Sequence, residues 1–202
     1  MAGGGRRIGV LGGTFDPVHI GHLSVAVEVR AGLDLDVVLL VVANQPWQKA
    51  GLRPLTAASD RLAVVRAAVE GLEGVEASAL EVDRGGTTYT ADTLGQLRAA
   101  EPEASLFLIL GADVARELHT WKRTDEIQRD ATLVVVGRPG APSGAVDGLR
   151  SEGWRVEAVT VPALDVSSTD LRARVAAGLP IDVLVPAAAV RQIRERGLYA
   201  RP

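Results

Sequence analysis

Residues 8–22 read Ile8-Gly9-Val10-Leu11-Gly12-Gly13-Thr14-Phe15-Asp16-Pro17-Val18-His19-Ile20-Gly21-His22. A short apolar run enters a polar, glycine-rich turn, and an amphipathic stretch, Leu23–Leu33, follows. That succession predicts strand, loop and helix, the opening unit of an open α/β sheet. The turn lacks the Gly-x-Gly-x-x-Gly spacing of a dinucleotide fingerprint, and no Gly-Lys-Ser/Thr follows to make it a P-loop. A hydride-transfer enzyme and a P-loop hydrolase thereby lose their main support. What the turn carries instead is His19-x-Gly21-His22 at a strand-to-helix junction.

The same alternation continues along the chain. Val37–Val42, Val75–Val82, Leu106–Leu110, Leu133–Val136 and Val156–Val161 are short apolar runs bounded by Gly, Asp, Pro or Ser, as buried parallel strands are. Helical patterns lie between them: Ala57–Val69 behind Thr56 as N-cap, Ala91–Ala100, Val114–Leu118, Glu126–Arg129 and Ser168–Ala177. Pro186–Arg196 has Pro in its first turn and Gly197 just beyond its end. Right-handed crossovers turn this pattern into a Rossmann-like doubly wound parallel sheet, with a 3-2-1-4-5 core order. Helices cover both faces, and the chain ends in helix. We read residues 1–202 as a single domain, with residues 1–6 disordered and Gly137–Gly148 a mobile loop.

Composition narrows the chemistry. The chain has 202 residues, enough for a real core, and Cys 0 excludes disulfides, Cys-ligated zinc, iron–sulfur clusters and thiol catalysis. A formal net charge of -3 argues against a broad basic face for nucleic acid. The longest apolar run, Val37–Ala43, is far short of a membrane span, and the start lacks a signal-peptide stretch. A cytoplasmic protein with no membrane or nucleic-acid partner is expected. Of 3 histidines, two fall in one motif; the lysines are Lys49 and Lys122 alone.

Ligands of open α/β sheets bind beyond the carboxyl ends of strands, where strand order reverses. That crevice lies between the first and fourth strands, above Gly12–His22 and Gly111-Ala112-Asp113. Residues three apart on a first helical turn share a face, so His19 and His22 point the same way, beside free backbone N–H groups. Gly21 between them lets an anion approach the backbone. Two imidazoles at a helix N-terminus suit a polyphosphate. A capping histidine beside a surface one, or a metal pair, stays open at this point. Only carboxylates could complete a zinc site, which disfavours it.

The stretch Gly-Gly-Thr-Phe-Asp-Pro-Val-His-Ile-Gly-His resembles the signature of the nucleotidyltransferases with the His-x-Gly-His motif. Later segments narrow the resemblance to bacterial nicotinate mononucleotide adenylyltransferases. Tyr89-Thr90-Ala91-Asp92-Thr93-Leu94 is similar to that family's Tyr-Thr-x-Asp-Thr-Leu. Gly111-Ala112-Asp113 with Leu118 and Trp121 resembles its Gly-Ala-Asp…Leu-x-x-Trp. Ser167-Ser168-Thr169-Asp170-Leu171-Arg172 resembles its Ser-Ser-Thr-x-Ile-Arg, and Leu198-Tyr199 its closing turn. One departure stands out: where the family often has Pro-Pro-His-Lys, this chain has Pro46-Trp47-Gln48-Lys49, keeping only the lysine of that His-Lys pair.

The resemblance implies transfer of AMP from ATP to nicotinate mononucleotide, giving nicotinate adenine dinucleotide and pyrophosphate in NAD biosynthesis. It implies a catalytic set of His19, His22, Lys49 and Arg172. Gly12, Gly13, Thr14, Phe15, Gly21, Gly111, Ser168 and Thr169 would bind ATP and its phosphates. Thr90, Asp113 and Trp121 would hold the mononucleotide, the indole stacking on the pyridine ring. Asp16 beside Pro17 is either a turn-former or part of the site. Mg2+ comes with ATP, held by phosphate oxygens and water, with no protein metal site. Rival readings are an adenylyltransferase for nicotinamide mononucleotide or phosphopantetheine, and a non-catalytic nucleotide sensor on the same fold. Whether the chain forms a homo-oligomer stays open.

Overall fold

The computed structural model describes residues 5–46, 55–137 and 144–200. Its strands are β1 (Arg7–Gly13), β2 (Val37–Val42), β3 (Gln45–Pro46), β4 (Val75–Ser78), β5 (Thr87–Thr88), β6 (Ser105–Gly111), β7 (Ala131–Gly137) and β8 (Val156–Thr160). The helices are α1 (Ile20–Gly32), α2 (Ala58–Val69), α3 (Leu80–Arg84), α4 (Thr90–Ala100) and α5 (Ala112–Arg116). α6 (Thr124–Asp130), α7 (Gly144–Ser151), α8 (Ser168–Ala176) and α9 (Ala187–Glu195) complete them, with a 3-10 turn at Leu118–Thr120. No helix among the described residues is long and apolar enough to cross a membrane.

The six long strands form one sheet in the order β4-β2-β1-β6-β7-β8. This is the expected 3-2-1-4-5 core with a sixth strand added at the edge. The pairs β1–β6, β6–β7 and β7–β8 are parallel, with Val10 opposite Leu108 and Leu110 opposite Val135. Leu106–Leu110 and Leu133–Val136 are buried throughout, which explains their unbroken apolar sequence: both faces of a parallel sheet are covered. Strand order reverses between β1 and β6, whose carboxyl ends carry Gly12 and Gly111. A Cβ at either glycine would meet nothing within 4 Å, so the space over both strand ends is open.

Contacts divide the chain into two compact, interleaved units. The first takes Met1–Gly12, Val25–Leu39 and Tyr89–Ala163; the second takes Gly13–Ser24, Leu40–Thr88 and Leu164–Pro202. The first therefore holds β1, β6, β7 and β8 with α4 to α7. In the second, α2 packs on α9, and Arg196 Nη1 meets Asp60 Oδ1 at 2.6 Å. A small parallel ribbon of β3 and β5 also belongs to it, unannounced by the sequence pattern. Asn44 Nδ2 donates to Gly86 O at 2.9 Å, and Gly85 and Gly86 both take positive φ, so the turn is fixed where the ribbon starts.

Three local expectations need correction. The run Val75–Val82 is strand only to Ser78; Ser78 Oγ accepts from Leu80 N–H and the chain turns into α3, which closes on Gly85. Thr56 is not the cap of α2: Ala57 holds that position with no side-chain bond, and the Thr56 carbonyl accepts from Arg61 instead. Of the stretch 137–148 expected as a loop, Gly137 ends β7 and Gly144 opens α7, which buries Val146 and Leu149; residues 138–143 lie outside the described residues.

Gly9 sits in the middle of β1, where a Cβ would lie 2.8 Å from Val38 Cγ2, 3.0 Å from Leu35 Cδ1 and 3.1 Å from Ile109 Cδ1. Overpacking of this kind costs about 1–3 kcal/mol. Gly9→Ala is expected to lower the urea unfolding free energy by that amount; an unchanged midpoint and slope would show that the sheet centre has slack.

Candidate active site

Residues 14–17 belong to neither helix nor strand, yet all four are buried, as are Val18 and His19. Phe15 adopts φ 47, a left-handed conformation that costs a bulky residue energy and that the loop imposes. Its ring folds back over Gly13, where a Cβ would come within 2.7 Å of ring carbons. Gly13 is thus required by packing against the Phe15 ring, a reason the motif did not announce. The same ring meets His22 edge-on, with centroids 5.0 Å apart.

Helix α1 starts at Ile20 and brings the two histidines together: their rings lie 3.8 Å apart at a tilt of 31°. His19 N–H donates to His22 Nδ1 at 3.2 Å. That bond requires an unprotonated Nδ1, so the neutral His22 ring carries its proton on Nε2 and offers it as a donor. His19 is buried, and burial pulls its pKa down from 6.5 to about 4, leaving the ring neutral at pH 7. Its Nδ1 has no hydrogen-bond partner among the described residues and lies 3.0 Å from where a Gly21 Cβ would be. Gly21 therefore makes room for the His19 ring itself. The expected row of free N–H groups is also mostly used: Ile20 N–H reaches Leu184 O at 3.0 Å, and those of His22 and Leu23 reach His19 O.

The Ser-Ser-Thr-Asp-Leu-Arg segment lies in the same unit. Ser167 is the N-cap of α8, its Oγ accepting from Asp170 N–H at 3.1 Å. Ser168 Oγ donates to Pro17 O at 2.8 Å. Arg172 donates from Nη1 to Asp16 O at 2.7 Å and from Nη2 to Thr169 Oγ1 at 3.1 Å. The structure thus gathers Gly13, Thr14, Phe15, His19, Gly21, His22, Ser168, Thr169 and Arg172 in one unit. Lys49, Trp47 and Gln48 lie outside the described residues.

The other group lies in the first unit, with Gly12 and Gly111 at neighbouring strand ends. Thr90 opens α4 and is half-buried. Asp113 is exposed in the first turn of α5 and accepts from Arg116 Nη1 at 2.6 Å. Trp121 is half-buried after the 3-10 turn, its Nε1 buried and without a partner among the described residues. Arg123, in left-handed conformation with φ 55, pairs with Asp92 of α4 and so ties the Trp121 segment to that helix.

Sequence reasoning missed two residues here. Arg61 is 1% exposed and spends its guanidinium on carbonyls: Thr14 O at 2.7 Å, Thr56 O at 2.9 Å and Asn44 O at 3.1 Å. A signal existed, because Arg61 shares a helix stripe with Val64, Val65 and Ala68, all buried. Tyr199 Oη donates to Asp16 Oδ1 at 2.8 Å, across 183 positions of sequence, which no local pattern announces.

Residues 10–174 match the profile of the cytidylyltransferase-like family, so fold and loop define a nucleotidyltransferase class. A relative from Streptomyces coelicolor, named as a probable nicotinate-nucleotide adenylyltransferase, is 48% identical over 190 residues, 94% of this chain and 98% of its own. One of the same name from Saccharopolyspora erythraea is 44% identical over 201 residues, 96% of this chain and 90% of its own. The chain belongs to this nicotinate-nucleotide adenylyltransferase family. Its fold also matches the Plasmodium falciparum nicotinic acid mononucleotide adenylyltransferase complexed with NaAD, with a TM-score of 0.76 at 16% identity, covering 96% of this chain and 97% of that one.

A histidine held neutral in the fold but free to protonate when unfolded gives stability that is complete above about pH 6.5. That contribution is lost as pH falls from there towards about 4. The His19 ring is therefore expected to remain neutral at pH 5.5 in NMR titration of the folded protein. A ring titrating near 6.5 would contradict its burial.

Proposed function

We infer that this chain transfers the adenylyl group of ATP to nicotinate mononucleotide, forming nicotinate adenine dinucleotide and releasing pyrophosphate. The observation that carries the reading is the His19–His22 pair, locked at the start of α1 against the buried loop 14–17 that follows Gly12-Gly13.

The chemistry asked of the protein is modest. A phosphate oxygen of the mononucleotide attacks the α-phosphorus in line, the bond to the bridging oxygen breaks, and that oxygen leaves with pyrophosphate. The nucleophile is already an anion, so no general base is needed. Alignment of two polyanions and relief of charge on the leaving group do the work. His22 suits the second task, because its Nε2–H is a fixed donor that needs no change of protonation. His19, neutral and packed against it, adds no positive charge beside it, and its backbone N–H holds the His22 ring in this orientation. The loop of Gly12, Gly13, Thr14 and Phe15 and the start of α8 with Ser168, Thr169 and Arg172 form the ATP side, joined by Lys49. Thr90, Asp113 and Trp121 form the mononucleotide side; an acceptor on the ligand would satisfy the buried Trp121 Nε1–H.

Magnesium enters as part of the ATP substrate, held by phosphate oxygens and water. Among the described residues no group of three or more His, Cys, Asp or Glu side chains could hold a metal ion. The reading carries with it a cytoplasmic location, where these metabolites are.

The test is pyrophosphate release with MgATP and either nicotinate or nicotinamide mononucleotide. Turnover with a preference for the acid is expected. Equal rates remove the specificity, and no release with either removes the reading. His22→Ala should keep the fold and lose about 100-fold or more in kcat, the usual scale for a lost transition-state donor. A kcat within a few-fold of wild type would take His22 out of that role.

A further inference from the structure

Three hydrogen bonds from residues 168–199 converge on the dipeptide Asp16–Pro17 of the phosphate loop. Arg172 holds the Asp16 carbonyl at 2.7 Å, Ser168 holds that of Pro17 at 2.8 Å, and Tyr199 Oη donates to the Asp16 carboxylate at 2.8 Å. The tyrosine is the most unusual of the three. Its backbone has φ 65, a left-handed conformation seldom taken by an aromatic residue, so the chain pays strain to aim the phenol inward. Burial first, and then the neighbouring Asp16, push its pKa well above the ordinary range. The phenol therefore keeps its proton and remains a donor. Thr56 acts in the opposite direction on that pKa without reversing it. The Thr56 carbonyl in turn accepts from Arg61, whose Nη1 grips Thr14 O. The loop is thus held at both ends: Tyr199 fixes Asp16, and Arg61 fixes Thr14.

We propose that Tyr199 is a positioning residue for ATP. It fixes Asp16, and with it the left-handed turn at Phe15, so that the Thr14 end of the loop and the histidine pair hold the geometry that receives the triphosphate. Without the phenolic donor, a 2% exposed carboxylate has lost a hydrogen bond beside the site where a polyanion must sit. The loop then relaxes to bring Asp16 other donors, among them Arg172, which the ATP side also needs. This rests on the assignment of the loop to ATP given above.

The test uses the full chain and Tyr199→Phe, which leaves the ring and removes one oxygen. KM for ATP is expected to rise about tenfold, with KM for the mononucleotide moving less than twofold and Tm little changed. The Kd of a non-hydrolysable ATP analogue, measured by calorimetry, should rise in parallel. In the Asp16→Asn background the same change should cost much less, because the two groups act as a unit. If Tyr199→Phe lowers Tm enough to cloud kinetics, the analogue Kd measured well below that Tm decides in its place, and the same rise is expected. Unchanged KM and Kd for ATP in Tyr199→Phe overturn the proposal. So does a fall in kcat with both KM values constant, which would mean only a loss of folded enzyme. If wild type releases no pyrophosphate with either mononucleotide, the assigned reaction fails, and the analogue Kd still decides whether Tyr199 positions an ATP site.

Discussion

A stretch of irregular backbone, residues 14–17, is buried in this protein, and buried carbonyls must find donors. Neither helix nor sheet supplies them here. Arg61 reaches Thr14 O from α2; Arg172 and Ser168 reach Asp16 O and Pro17 O from α8. Each of these donors is a side chain held at a set depth by its own helix. The loop therefore has its shape only when α2, α8 and the C-terminal tyrosine are all docked. Residues from opposite ends of the chain are in this way made parts of one small structure.

The same constraint settles how an acidic protein can receive polyanions. A net charge of -3 argues against a broad positive surface. Arg61 and Arg172 are instead engaged with loop carbonyls, which orients them before any ligand arrives. Hydrogen-bond donors fixed in advance cost no reorganisation during reaction. The histidines follow the same logic. Burial keeps His19 neutral, and the His19 N–H fixes the tautomer of its partner, so the pair presents an oriented donor in place of two mobile charges.

Much of this was legible beforehand because it is local. The unbroken apolar runs at Leu106–Leu110 and Leu133–Val136 announced parallel strands covered on both faces. The spacing of His19 and His22 announced a shared face, and the rings do meet at 3.8 Å. Where local reading failed, a competing local interaction had taken over. Val75–Val82 is apolar enough for a strand, but Ser78 and Gly85 enclose a short helix that takes over its second half. Thr56 looked like a cap, yet its carbonyl was wanted by Arg61, and a neighbour took the cap position. Gly21 was legible as a place of close approach; that the visitor is the His19 ring depended on how that side chain packs.

The sequence alone determined the alternation of strands and helices, the strand order of the core, and the motif that marks the phosphate loop. These follow from periodicity, handedness and residue type, all of which act over a few neighbours. Only the tertiary structure decided which N–H groups were already spent, which ring nitrogen of His22 keeps the proton, and that Arg61 and Tyr199 brace the loop. Those outcomes depend on burial and on partners up to 183 positions away, where a hydrogen bond is set by the docking of whole helices.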